Sequence, residues 1–562
     1  MKSSASPLPS NERRRLGILG FAGVFIFYAV VWVRQGFNTE DGGYIVGLSW
    51  RVFEGLVPYR DFLHVRPPLS LYIHALPIFC GPYALFADRL LSMAQLALAS
   101  IVGTRVLLET ARFNAASDEF WTVALAAFVL TMHNWPAFGW PTVDGVLFST
   151  LSVWALTAGR FGLAGGLAVS ALLCKQNFLA FTVFGLVPSL ITGGARAAVR
   201  YCLGCAVVAL PLLGYLYSHG ALDGMRHQVL SSGQMADIWD AGVAEYARVL
   251  VDPEMLLALG AAVFITFGLW WRKRSVSMAL MYGYAAFAIL ALGLFARDVV
   301  SAAIEGAHYD YMIAEFSQSS AMLVIAGCLA LGWLAAGAPS ADHDARAMVL
   351  KRATALAGLF AIAWTASISR GYQLPALFSV PLLAPLILWA PPPVACRPLR
   401  VLTCVGLVVF GMAYAYPYGE SLRFDKLAPI PERFHGTAWL RASPATIGKL
   451  TEMADWSDRN RSRPLMVLPV LTPASFLLQR RPALPLDWVT DTEMLPVESR
   501  VKIVREICEQ HTPVLVERAV AERVLASKGT PWFSAVLERV VAEWSIRERG
   551  TYFDIYLPPA HC

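Results

Sequence analysis

Residues 16–33, LGILGFAGVFIFYAVVWV, run for eighteen residues without a charged side chain. As a helix such a run is about 27 Å long, close to the hydrocarbon thickness of a bilayer. A lipid-exposed backbone must satisfy its own hydrogen bonds, so only helices and closed barrels can cross. Comparable apolar runs recur at 85–108, 119–133, 145–159, 162–174, 177–193, 199–218, 255–271, 276–295, 319–337, 353–369, 373–391 and 400–416. Their number and length predict an all-α polytopic membrane protein of about thirteen transmembrane helices. Composition agrees: 15% of the 562 residues are charged, against about 25% in soluble domains, and mean hydropathy is +0.52.

Orientation follows from the basic residues. NERRRLG before the first run and RKR at 272–274 mark the cytoplasmic side. The N-terminus is then cytoplasmic, residues 35–84 form a large first external loop, and an odd number of spans sends the C-terminus out. The run PPLSLYIHALPIFC is too short to span and reads as a re-entrant or interfacial element. From residue 418 the pattern changes to short apolar runs (PLMVLPV, PVLVE, YFDIYL) between amphipathic helical segments (ESRVKIVREICEQH, WFSAVLERVVAEW). That is an extracytoplasmic α/β domain over 418–562, beside a membrane domain over 1–417. Its cysteines, Cys508 and Cys562, form a disulfide or stay as two thiols. The nine cysteines include no paired CxxC module, so no zinc site is read. The net charge of +6 is scattered over segment ends and says little about nucleic acid, so no nucleic-acid partner is read.

The external stretch NTEDGGYIVGLSWRVFEGLVPYRDFLHVRPPLSLY holds two adjacent acids, Glu40 and Asp41. Ile45, Leu48, Val52 and Leu56 follow at helical spacing, predicting an amphipathic helix on the outer surface that Gly55 and Pro58 end. The acids either cap that helix or do chemistry, and Gly42 and Gly43 after them let backbone or substrate come close.

This order of residues resembles the first external loop of GT-C glycosyltransferases: an acidic pair, Tyr44, a small-residue helix, EGLVPYRDF, then a basic residue before PPL. The protein O-mannosyltransferases and lipid A aminoarabinose transferases are nearest in pattern. WPTVDGVLFSTLSVWAL resembles the family's second external aspartate, here Asp144. SALLCKQNFLAF resembles a lysine segment, here Lys175. SRGYQLPALFSVPLLA resembles a late span with Arg370 and Tyr372, and VLPVLTPASFLLQRRPALP the external C-terminal domain. The resemblance implies transfer of a sugar from a polyprenyl-phosphate donor to a glycan, lipid or protein acceptor at the outer face of a bacterial-type inner membrane, with inversion.

In those terms Asp41, beside the glycines, is the first candidate base and Glu40 the second, while Asp144 orients acceptor or sugar or else caps a span end. Arg66, Arg370 and Lys175 bind donor phosphate or else snorkel at span ends. Tyr44, His64, His227 and Tyr372 are candidate substrate contacts; His227 falls where a relative has a functional loop histidine, and a lone histidine is more often structural. Some relatives have an acid at the position of Val65, so no metal ligand set is read and no cofactor is named. A transporter or flippase of lipid-linked sugars is the rival class. Against it, the polar candidates gather at external span ends rather than the midplane, and the chain shows no internal repeat. A catalytically dead scaffold is a third reading, opposed by the retained acids.

Overall fold

The computed structural model describes residues 10–39, 41–110, 118–134, 138–230, 253–271, 343–367, 427–480, 482, 484–489, 497–509, 511–526 and 535–559. Glu40, Arg370 and Tyr372 lie outside them, as do the expected spans at 276–295, 319–337, 373–391 and 400–416.

The N-terminal part is helical: α1 Ser10–Phe27, α2 Asp41–Phe53, α3 Leu69–Ala75, α4 Ala84–Thr110, α5 Asp118–Asn134, α6 Pro141–Thr157, α7 Phe161–Cys174, α8 Leu179–Ser218 and α9 Leu222–Leu230. Two further helices are α10, Pro253–Trp271, and α11, His343–Ser367. Helix α8 is two helices joined at Gly194, matching the two runs read at 177–193 and 199–218. Three stretches among the described residues are long and apolar enough to cross a membrane: Arg14–Trp32, Leu69–Val106 and Gln176–Ser218. Phe161–Cys174 and Ala353–Ala366 are shorter apolar helices. The run PPLSLYIHALPIFC forms α3 and a 3-10 segment, Leu76–Tyr83, kinked at Gly81. It leads straight into α4.

The helices pack through a continuous apolar core. Phe21 and Tyr28 from the first membrane segment meet Phe128 of α5, with ring centroids 5.3 and 5.7 Å apart. Val153 and Leu156 of α6 and Leu359 and Ile362 of α11 belong to the same buried cluster.

Toward the C-terminus lie β1 Ala428–Pro429, β2 Arg441–Ala442, α12 Pro444–Arg459, β3 Val467–Leu468, α13 Ala474–Leu477, α14 Val497–Glu509, β4 Val514–Glu517, α15 Arg518–Ala526, α16 Ala535–Glu543, β5 Ser545–Arg549 and β6 Phe553–Leu557. Ser443 caps α12, its hydroxyl accepting the Thr446 amide at 3.2 Å, and Pro444 at the first helical position needs no amide partner. Four strands form one sheet in the order β3-β4-β6-β5. β3 and β4 are parallel and the other pairs antiparallel. Ile503 and Ile507 of α14 and Leu537 and Val540 of α16 pack with Val514 and Val516 of β4. Cys508 is disulfide-bonded; Cys562 lies outside the described residues.

A second core joins the two parts of the chain. Phe37, Val46, Trp50, Ile78 and Leu85 share one buried cluster with Ile430, Phe434, Leu440, Leu471 and Phe476. This corrects the expectation that α2 lies on the outer surface. Gly42 to Arg51 are all buried, because the C-terminal part covers the face that the sequence pattern left to solvent.

Candidate active site

Helix α2 is held by close backbone approach and one buried ion pair. A Cβ on Gly43 would lie 2.5 Å from the Pro473 ring, and one on Gly47 would lie 2.7 Å from the Thr472 carbonyl oxygen. The glycines therefore admit the neighbouring chain 472–473. Two turns on from Tyr44, Arg51 is 2% exposed and donates to both carboxylate oxygens of Asp487, at 2.7 and 3.2 Å, and to the Leu484 carbonyl at 3.0 Å. Gly55, at φ 85°, turns the chain out of the helix, and the Leu56 amide reaches back to the Arg51 carbonyl at 2.9 Å.

Asp41 is the first residue of α2 and is half-buried. The Gly42 amide donates to the Asn38 side-chain oxygen at 3.2 Å, so Asn38 supplies a cap at this end. A Cβ on Gly42 would come 3.6 Å from the Phe138 ring, and Phe138 lies 6.2 Å from Trp140, centroid to centroid. The Lys175 ammonium sits 5.9 Å over the Trp140 ring and donates to the Thr142 hydroxyl at 2.8 Å. Lys175 is 4% exposed, which does not fit a snorkelling side chain. The next residue, Gln176, donates to the Val65 carbonyl at 3.1 Å. The start of α2, the entry to α6, the end of α7 and the loop carrying Arg66 thus form one continuous neighbourhood.

Arg66 faces α2. Its Nη1 donates to the Tyr44 hydroxyl at 3.0 Å, and its guanidinium carbon stands 5.2 Å from the Tyr44 ring centroid. The Trp488 ring meets Tyr44 edge-on, 5.3 Å away at 79°. Beneath, the Tyr59 hydroxyl donates to the Arg66 carbonyl at 2.5 Å. The loop is tied to α9 through Gln228, which accepts the His64 amide at 2.8 Å and donates to the Tyr59 carbonyl at 3.3 Å. His227, the preceding residue, is exposed on α9.

His64 is 1% exposed. Burial, and then the Arg66 guanidinium, push its pKa down to about 3, so it is neutral at physiological pH. Its folded pKa lies below the unfolded value of about 6.5. The stability tied to the neutral ring is therefore complete above pH 6.5 and is lost as pH falls toward 3. His64→Phe is expected to flatten the decline of melting temperature between pH 6.5 and 5; an unchanged slope would contradict the buried neutral ring.

Behind this neighbourhood lies a polar cluster that sequence reasoning only half found. His74 of α3 sits between Asp88 of α4, Nδ1 to Oδ1 2.5 Å, and Asp144 of α6, Nε2 to Oδ2 3.2 Å. The Gln95 amide donates to the other Asp144 oxygen at 2.6 Å, and the Gly139 amide to Asp88 at 2.8 Å. His74, Asp88 and Asp144 are 0% exposed. Asp144, read as orienting acceptor or sugar or else capping a span end, has both oxygens engaged inside the bundle and joins three helices. His74 and Asp88 were passed over, although an ionisable residue in an apolar run is itself a signal. Among the described residues, no group of three or more His, Cys, Asp or Glu side chains is placed to hold a metal.

No protein-family model matches the chain, and no curated protein does. Two solved structures match along nearly its whole length. One is ArnT from Cupriavidus metallidurans in the apo state, 14% identical, covering 97% of this chain and 98% of that one at a TM-score of 0.40. The other is ArnT from the same organism bound to undecaprenyl phosphate, 13% identical, covering 96% and 97% at a TM-score of 0.39.

Proposed function

We propose that the chain is an integral membrane glycosyltransferase that moves a sugar from a polyprenyl-phosphate-linked donor to an acceptor at the outer face, with the C-terminal part extracytoplasmic. The observation that carries this reading is the Arg66 guanidinium set on Tyr44 of α2, the helix that opens at Asp41, with the Lys175 ammonium buried against Trp140 and Thr142. Asp41 or Glu40 takes the proton of the acceptor hydroxyl as its oxygen attacks the anomeric carbon. The bond from that carbon to the donor phosphate breaks, and attack from the opposite face inverts the centre. Charge develops on the departing lipid phosphate, where Arg66, Lys175 and Arg370 stabilise it. A guanidinium suits that task because its planar fork binds two phosphate oxygens. Asp144, with His74 and Asp88, sets how α3, α4 and α6 meet behind the site. Tyr44 and Tyr372 are substrate contacts, and His64 and His227 belong to the loop and helix that frame Arg66.

The test is turnover of an undecaprenyl-phosphate-linked sugar by purified variants. Arg66→Ala and Arg370→Ala are expected to lose activity by about 10–100-fold, and the lysine replacements to keep part of it, since lysine retains charge without the fork. Normal turnover by both alanine variants would reduce these residues to interfacial anchors and remove the donor assignment.

A further inference from the structure

We infer that Trp488, near the far end of the chain, is a positioning residue for the donor phosphate and acts through Tyr44 and Arg66. The inference rests on the proposed role of Arg66 as a phosphate ligand. Its own ground is a relay of three side chains. The guanidinium of Arg66 is fixed twice by Tyr44, through the hydroxyl at 3.0 Å and through the ring face at 5.2 Å. The ring-face contact depends on the plane of the Tyr44 ring and the hydroxyl contact on the direction of its long axis, so a ring that tips away loses both. The Trp488 ring, T-shaped to Tyr44 at 79° with centroids 5.3 Å apart, holds that ring in its orientation. Edge-to-face pairs gain from the positive rim of one ring meeting the negative face of the other, so they prefer one orientation as well as contact.

Trp488 is itself held from two sides. Its neighbour Asp487 is clamped by Arg51 of α2. On the other side the Val489 amide donates to the Pro469 carbonyl at 3.1 Å, and Val470 and Trp488 form an antiparallel bridge. Tyr44 and Arg51 are seven residues apart on one helix, about 10 Å along its axis and on one face. The pair Asp487–Trp488 therefore grips α2 at two points of that face, the charge at one and the ring at the other. A ring in this position does more than fill space, since an aliphatic side chain of similar bulk has no quadrupole to orient Tyr44.

The experiment is equilibrium binding of undecaprenyl phosphate to the purified full-length protein, with melting temperatures measured alongside. Trp488→Phe keeps the aromatic edge and is expected to bind within about twofold of wild type, whereas Trp488→Leu should weaken binding about fivefold. On an Arg66→Ala background, Trp488→Leu should change nothing further, because its effect runs through Arg66. Tyr44→Phe, which keeps the ring and loses the hydroxyl, gives an arm that does not depend on the tryptophan variants folding; it should weaken binding about threefold. Leucine as good as phenylalanine, a leucine effect that persists without Arg66, or wild-type binding by Tyr44→Phe would each overturn the relay. In those cases, weakened binding by Arg66→Ala alone would leave the donor reading standing. Absence of saturable wild-type binding would instead remove the donor reading, and the relay with it.

Discussion

Asp41→Asn is expected to slow sugar transfer by about 10²–10⁴-fold, the usual loss when a general base is removed, if Asp41 rather than Glu40 takes the acceptor proton. Glu40→Gln is the paired measurement, and the variant with the large loss identifies the base. The structure sharpens the contrast with a capping role. Asn38 already accepts the Gly42 amide, and asparagine caps a helix about as well as aspartate. Asp41→Asn should therefore leave melting temperature and undecaprenyl phosphate binding close to wild type while turnover falls. Near-normal turnover in both variants would mean that the acids serve the helix end, and the proposed mechanism would be wrong.

Arg51→Ala and Asp487→Ala should be among the most destabilising single substitutions outside the bundle core. With side chains 2% and 10% exposed, either change leaves a buried charge without its partner, a loss of about 3–5 kcal/mol. Replacing both together, Arg51→Met with Asp487→Leu, should recover most of that loss, since a well-packed apolar pair often equals a buried ion pair. Thermal melting of the four proteins makes the comparison. Single variants that melt with wild type would show that α2 is held by its apolar contacts alone. Turnover adds a second reading, because α2 carries Asp41 and Tyr44: the single variants should lose activity at temperatures where they are still folded.

Much of this architecture was legible in the sequence, and the failures have particular causes. The run read at 85–108 is α4, Ala84–Thr110, and the runs at 119–133 and 145–159 are α5 and α6. A long apolar run reports its own secondary structure, since the bilayer leaves few alternatives. The apolar stretches PVLVE and YFDIYL became β4 and β6. Helix α2 was harder. Its pattern of Ile45, Leu48 and Val52 revealed one apolar face, while Ser49 and Arg51 lie elsewhere around the helix and are buried too. The partner of Arg51, Asp487, is 436 residues away, and no local periodicity encodes it. For the same reason the glycines were read correctly as sites of close approach, but what approaches, Thr472 and Pro473, came only from the fold. Asp144 was found by motif, while its partner His74 was passed over in an apolar run, where an ionisable residue signals a role but names no partner.

The long reach from Arg51 to Asp487 also sets a schedule. At about 5–20 residues per second of synthesis, the 436 residues between them take about 20–90 s to emerge. Throughout that interval α2 exists without the wall that will bury its arginine and fill the space beside Gly43 and Gly47. Contacts of such sequence separation are also the slowest to close. The surroundings of α2 are accordingly closed late, and a chain stopped short of residue 487 would carry the helix without the partner of its buried arginine.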